Sequence, residues 1–106
     1  LAFVNDMFEE FVSDFLPTAF ISALYRAWCE DEGVKPFTKR EFELKLPDHI
    51  KKEWEKTSKR PHTAGFNRAI DLHRAEEYEL FRRLFHWDDD KQKKVTKGYL
   101  RKKKRK

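Results

Sequence analysis

Val4, Phe8, Phe11, Val12 and Phe15 recur at intervals of three and four residues, with Met7 beside them, and this spacing predicts an amphipathic first helix. Leu16-Pro17 predicts its end, because proline disfavours helical geometry in the residue before it. Thr18 is the predicted cap of a second helix, in which Phe20, Leu24 and Trp28 align one turn apart with Ile21 and Tyr25 flanking. Gly33 is its predicted stop, glycine being the usual residue just past a helix end. Glu30, Asp31 and Glu32 precede that stop at the negative pole of the helix dipole, so they are expected to be solvated or to meet a basic neighbour.

The next segment, Phe37–Leu46, reads "FTKREFELKL". Thr38 and Glu41 form a capping-box pattern, in which the hydroxyl accepts from an early amide while the glutamate reaches back to the N–H of the cap. Phe42 and Leu46 then share the inner stripe of a helix of about two turns, which Pro47 limits. Arg40 and Leu44 fall on the opposite side, Lys39 and Lys45 towards the flanks, and Glu41 and Glu43 dilute the positive charge.

From Ile50 to Leu72 the helical period fades. Trp54, Thr57, Phe66, Ile70 and Leu72 predict two short strands around a polar turn that contains Pro61 and Gly65. Tyr78, Phe81, Leu84 and Phe85 predict a closing helix over residues 74–87, with a strand through Glu77–Phe81 as the alternative. Beyond Asp88-Asp89-Asp90 no core-forming pattern continues, and "RKKKRK" is expected to be disordered by self-repulsion. The element order predicts a mainly α (α+β) fold: a winged helix-turn-helix over residues 1–87 with a short two-stranded wing. Residues 88–106 are then an acidic boundary and a disordered basic tail.

Charge changes this picture more than composition does. Of the 106 residues 15% are aromatic, enough for a packed core, while 41% are charged and the mean hydropathy is −0.94. The net charge of +5 conceals an asymmetry. Residues 1–34 hold seven acids against Arg26, residues 91–106 hold ten Lys/Arg and no acid, and the middle is nearly balanced. No apolar run approaches the roughly 18 residues a bilayer crossing needs, and Phe3–Phe15 is interrupted by acids where a secretory signal would be apolar. One cysteine, Cys29, permits no internal disulfide and fits a reducing, cytoplasmic setting. Starting at Leu1 rather than Met, the chain is expected to be a piece of a longer polypeptide.

The chemistry pointed to is binding rather than catalysis. There is no phosphate-binding glycine loop, nucleophile elbow or HExxH pair, so no enzyme activity and no cofactor are expected of these residues. His49, His62, His73, His86 and Cys29 lack metal-ligand spacing. Lys39, Arg40, Lys45, Lys51, Lys52, Lys56, Lys59, Arg60 and Arg68 are candidate phosphate contacts, with Leu44 beside Arg40 as a candidate groove reader. Glu41, Glu43, Glu53 and Glu55 support the rival reading of a solvated, mixed-charge surface. The tail (Lys91, Lys93, Lys94, Lys97, Arg101, Lys102, Lys103, Lys104, Arg105 and Lys106) would bind any polyanion, with nucleic acid favoured over a membrane. Trp28 and Tyr25 belong to a core stripe, whereas Trp54 and Phe66 sit in the irregular basic region as more open candidates for stacking on bases.

The run "FLPTAFISALYRAWCEDEGVKPFTKREFELKL", followed by Trp54, Arg60-Pro61, "GFNRA" and "EEYEL", resembles the C-terminal region of phage and plasmid primase-helicases of helicase superfamily three, the group that includes the poxvirus-type ATPases. Leu24-Tyr25-Arg26-Ala27-Trp28 matches its aromatic helix, and Gly33, Pro36 and Lys39-Arg40-Glu41-Phe42 match the short helix after it. The resemblance covers about residues 5–80. It implies a winged helix that follows an ATPase ring and contacts duplex or forked DNA in the replication of a mobile element. The ATPase domain or other subunits of the parent protein would then be further partners. The rival is a protein-interaction module that docks a replication partner or neighbouring subunit through its acidic N-terminal half.

Overall fold

The computed structural model describes residues 2–102. Helix α1 (Ala2–Met7) tightens into a 3₁₀ turn, Phe8–Glu10, and stops there. The helix expected to run on to Phe15 is therefore shorter, and the chain from Phe11 is extended. The burial pattern gives the reason. Phe11, Ser13 and Phe15 point inward while Val12, at 46% exposure, and Asp14 point out, which is the alternation of extended chain. Phe11 and Phe15 are four apart and satisfy either period; the buried Ser13 between them decides for the second.

Strand β1 (Phe15–Pro17) leads directly into α2 (Thr18–Glu32), with Pro17 in the cap position and Thr18 already helical. Phe20, Ile21, Leu24, Tyr25 and Trp28 of α2 are all buried, as their spacing predicts. Gly33 closes the helix in the left-handed region at φ 70°, which a side chain would strain. Helix α3 (Lys39–Leu44) carries the full capping box: Glu41 N donates to Thr38 Oγ1 and Thr38 N donates to a Glu41 carboxylate oxygen, each at 3.2 Å. Its underside, Phe42, packs 4.8 Å from the Tyr25 ring and 6.0 Å from Phe3.

After α3 the fold departs from the expected hairpin. Pro47 opens a further helix, α4 (Asp48–Glu53), before strand β2 (Trp54–Lys59). The second strand expected before Leu72 is not there. Pro61, well placed at the first turn of a helix, starts α5 (Pro61–Ala64), and Gly65 at φ 98° ends it. A π-helical turn (Arg68–Leu72) then runs into α6 (His73–Ala75), followed by α7 (Glu79–Leu84) and α8 (Asp89–Gln92). The predicted closing helix thus exists in two short pieces, and the alternative strand through Glu77–Phe81 does not form.

The partner of β2 comes from residues assigned to the tail. Strand β3 (Thr96–Arg101) lies in the middle of a three-stranded antiparallel sheet of order β1-β3-β2. Leu16 and Lys56 flank Tyr99, and Trp54 faces Arg101. The fold is α+β, but its sheet has three strands and closes through residue 101. The expectation of disorder from residue 88 onward is corrected to that extent; Lys103, Lys104, Arg105 and Lys106 lie outside the described residues. Gly98 is what lets β3 fit. A Cβ there would stand 2.5 Å from both the Leu16 carbonyl oxygen and Cζ of Phe15.

Residues 60–95 are tied back by one buried carboxylate. Asp71, 2% exposed, accepts from Ser13 N at 2.8 Å, from Val12 N at 3.2 Å and from the Ser13 hydroxyl. Ser13 Oγ in turn accepts from Asn67 N at 2.7 Å. Every polar atom in this knot serves the fold, as a buried carboxylate requires. Among the described residues no helix is long and apolar enough to cross a membrane.

Candidate nucleic-acid interface

The basic residues singled out from the sequence fall into three groups. The first lies on α3, α4 and β2. The capping box fixes the start of α3, and Phe42 and Leu46, both buried, fix its underside, so Lys39, Arg40 and Leu44 are presented outward. Leu44 is 68% exposed, the most open of the large apolar side chains among the described residues. The Glu41 carboxyl is held below the usual carboxylate range by its hydrogen bonds to Thr38. Its charge is thereby committed to the cap. Lys45 sits just past α3 with its ammonium 5.1 Å over the Phe37 ring. Phe37 N in turn donates to Tyr25 Oη at 2.9 Å, which anchors the loop to α2.

Ile50 is the buried residue of α4, leaving Lys51 and Lys52 exposed; they ride on this helix and not on a hairpin. In β2, Lys56 pairs with Glu43 of α3 at 2.8 Å, so this lysine and one diluting acid cancel. Lys59 and Arg60 stand exposed at the far end of the strand. Among the described residues, Lys39, Arg40, Lys51, Lys52, Lys59 and Arg60 have no carboxylate within ion-pairing distance.

The second group is structural. Arg101, expected in a mobile tail, donates to the Phe11 and Ser13 carbonyls at 2.7 and 3.3 Å, and its guanidinium lies 4.4 Å over the Trp54 ring. Its backbone N donates to the Asp14 carbonyl at 2.7 Å. Arg68 is similarly occupied, 4.5 Å over Trp87 and 3.9 Å from Asp89. Both arginines are engaged by neighbours within the fold, Arg101 by two backbone carbonyls and Arg68 by a ring and a carboxylate.

The third group is the end of the chain. Lys102 is exposed, and its N–H donates to the Glu53 carbonyl at 2.7 Å, which brings it beside the end of α4 and its two lysines. Lys103–Lys106 fall outside the described residues.

The aromatic candidates divide differently from the expectation. Trp54 is 3% exposed and belongs to the core, 6.1 Å from Phe8. Phe66 is half-buried and stacks on Trp87 at 5.7 Å. Trp87 is not legible as its partner from the sequence, because the pairing joins residues 21 apart with α6 and α7 between them. Among the described residues no three His, Cys, Asp or Glu side chains gather as a metal site would need.

The geometry defines a small α+β domain that offers cations from a capped helix, a second short helix and a strand edge on one connected run of chain. Residues 1–82 match the family model described as Poxvirus D5 protein-like, and the chain belongs to that family. No curated protein and no solved structure matches it. The matched segment ends within α7, so β3, which completes the sheet, lies beyond it.

Proposed function

We propose that this domain binds duplex or forked DNA through backbone phosphates, as the winged-helix part of the C-terminal region of a phage- or plasmid-type primase-helicase. Membership of the Poxvirus D5 protein-like family supports a replication setting. The order helix, strand, three helices, strand, with a last strand that returns to the middle of a β1-β3-β2 sheet, supports the winged-helix reading, residues 60–95 and their short helices standing where a tight wing turn would be. The observation that carries the proposal is the unneutralised set Lys39, Arg40, Lys51, Lys52, Lys59 and Arg60 on α3, α4 and the end of β2. The role is binding, without a catalytic residue, and it carries with it a cytoplasmic location.

The test is a salt titration of duplex binding by the full chain, in a background where Lys103, Lys104, Arg105 and Lys106 are glutamine. Changing Lys39, Arg40, Lys51 and Lys52 to Glu removes up to four phosphate contacts. Each is worth about −0.9 in the slope of log K against log salt, so losing all four flattens the slope by about 3.6. An unchanged slope and affinity would remove this face from the account.

A second reading, docking of a basic protein partner, is favoured by one observation. Asp31, Glu32, Glu77 and Asp6 gather around Tyr78, whose pKa is pushed up first by burial and then by their charge. Absence of measurable DNA binding at low salt would turn the choice towards it.

A further inference from the structure

A pocket of about 140 Å³ opens between α2 and α3, and it shares Lys39 with the cationic face described above. Ile21 and Ser22 line it from α2, together with Tyr25 and Arg26 one turn further on. Phe37, Lys39 and Phe42 line it from the loop and α3. The walls are set before any ligand arrives. Phe37 N donates to Tyr25 Oη at 2.9 Å, pinning the loop to α2, and the capping box holds the first turn of α3. Phe42 packs 4.8 Å from the Tyr25 ring, which fixes the spacing of the two helices. Ser22, Arg26 and Lys39 are exposed, so a ligand entering from solvent reaches them. Glu43, the one carboxylate of the lining among the described residues, is already matched by Lys56 at 2.8 Å. Neither Arg26 nor Lys39 has a carboxylate within ion-pairing distance among the described residues.

We propose that this pocket takes one unpaired pyrimidine base of single-stranded DNA, with Arg26 and Lys39 on the phosphates that flank it. Size and charge narrow the occupant to this. An apolar cavity of roughly 150 Å³ holds a single benzene, so the pocket admits one six-membered ring and not a fused pair. Aromatic walls suit the flat face of a base whatever its identity, and the Ser22 hydroxyl, donor and acceptor at once, suits its polar edge. The two unmatched cations call for negative charge on either side of the ring, which a nucleotide chain carries and a neutral apolar side chain does not. The inference rests on the DNA-binding reading above and deepens it, assigning the single strand of a fork to the α2–α3 side of the domain.

The experiment measures binding by fluorescence anisotropy, using the full chain in the glutamine background of the salt titration. The probes are a blunt duplex and the same duplex with a single-stranded arm of thymines, of adenines, or of abasic residues that keep the phosphates. The thymine arm should bind about tenfold more tightly than the abasic arm, within the range that contact between one base and aromatic side chains supplies. Ser22→Trp fills the mouth from an exposed position without changing charge. It should remove the thymine advantage and leave blunt-duplex binding unchanged. Should that variant not fold, the comparison of arms on the unsubstituted chain decides alone. If the abasic or the adenine arm binds as tightly as the thymine arm, the base pocket is overturned while the DNA reading stands. If no DNA binds at all, both fall, and binding of an acidic peptide with one phenylalanine would give the pocket to a protein partner.

Discussion

Replacing Gly98 with alanine puts one methyl group where β3 crosses β1. The added Cβ would lie 2.5 Å from the Leu16 carbonyl oxygen and 2.5 Å from Cζ of Phe15, with Cε1 of the same ring at 2.9 Å. Neither neighbour has room to give: the carbonyl belongs to the paired strand, and Phe15 is 0% exposed. Forcing a methyl into a packed core costs about 1–3 kcal/mol, and two constrained neighbours argue for the upper end, about 3 kcal/mol. With a urea dependence of about 1.5 kcal/mol/M for a chain of this size, the unfolding midpoint should fall by about 2 M. Gly33→Ala is the internal control. Nothing lies within 4 Å of its added Cβ, so only the positive φ of 70° is charged against it, about 1 kcal/mol. Urea unfolding of the full chain, followed by tryptophan fluorescence and circular dichroism, should rank Gly98→Ala as clearly the more damaging. Were residues 96–101 a solvated tail, the ranking would reverse, and a Gly98→Ala midpoint within about 0.3 M of wild type would refute the placement of β3.

Three further outcomes are expected. Asp71→Ala strands the Val12 and Ser13 amides and the Ser13 hydroxyl without their acceptor, and should cost about 3 kcal/mol, read as a fall of about 15 °C in Tm. Arg101→Ala should cost about 2 kcal/mol in chemical unfolding, through the lost carbonyl contacts and the lost cover on Trp54, whereas neutralising Lys102 should leave stability within about 0.5 kcal/mol. Burial, helped by the charge of Glu43, pushes the Tyr99 phenol up to about 12. Its folded value lies above the unfolded one, so the associated stability is complete below pH 10 and is lost as pH rises towards 12. An ultraviolet titration in which every tyrosine ionises together near pH 10 would contradict this.

What the sequence makes legible here is what is local. The capping box of α3 needs only Thr38 and Glu41, the end of α2 needs only Gly33, and both stand where their chemistry puts them. The stripe of α2 is equally self-contained, each apolar residue being one turn from the next. Several of the failures involve a partner far along the chain. Ser13 looks like a surface serine until Asp71 arrives from residues beyond β2. Strand β3 offers Tyr99 and Leu100 between lysines, a weak period that becomes a strand only because β1 and β2 present edges on either side. Local spacing predicts a tight hairpin, whereas β2 and β3 pair across residues 60–95. For the site, charge counted residues correctly but could not separate Lys51 from Arg101. That distinction depends on whether backbone carbonyls, in this case those of Phe11 and Ser13, wait within reach.

This distinction bears on what the basic end of the chain contributes. Cations on a disordered segment must be ordered at each contact, which offsets part of the attraction, whereas cations on a framed surface are already in position. The frame at this end is specific. Asp14 O takes the Arg101 N–H and Glu53 O takes the Lys102 N–H, each at 2.7 Å, so β3 leaves the sheet held on both sides. Lys102 is thereby delivered beside Lys51 and Lys52 of α4, residues separated from it by half the chain. The folded domain therefore uses its last strand twice, Tyr99 and Gly98 closing the core and Lys102 completing a cationic rim. Arginine at 101 and lysine at 102 are not interchangeable parts of one charge run: the first makes the surface, and the second is on it.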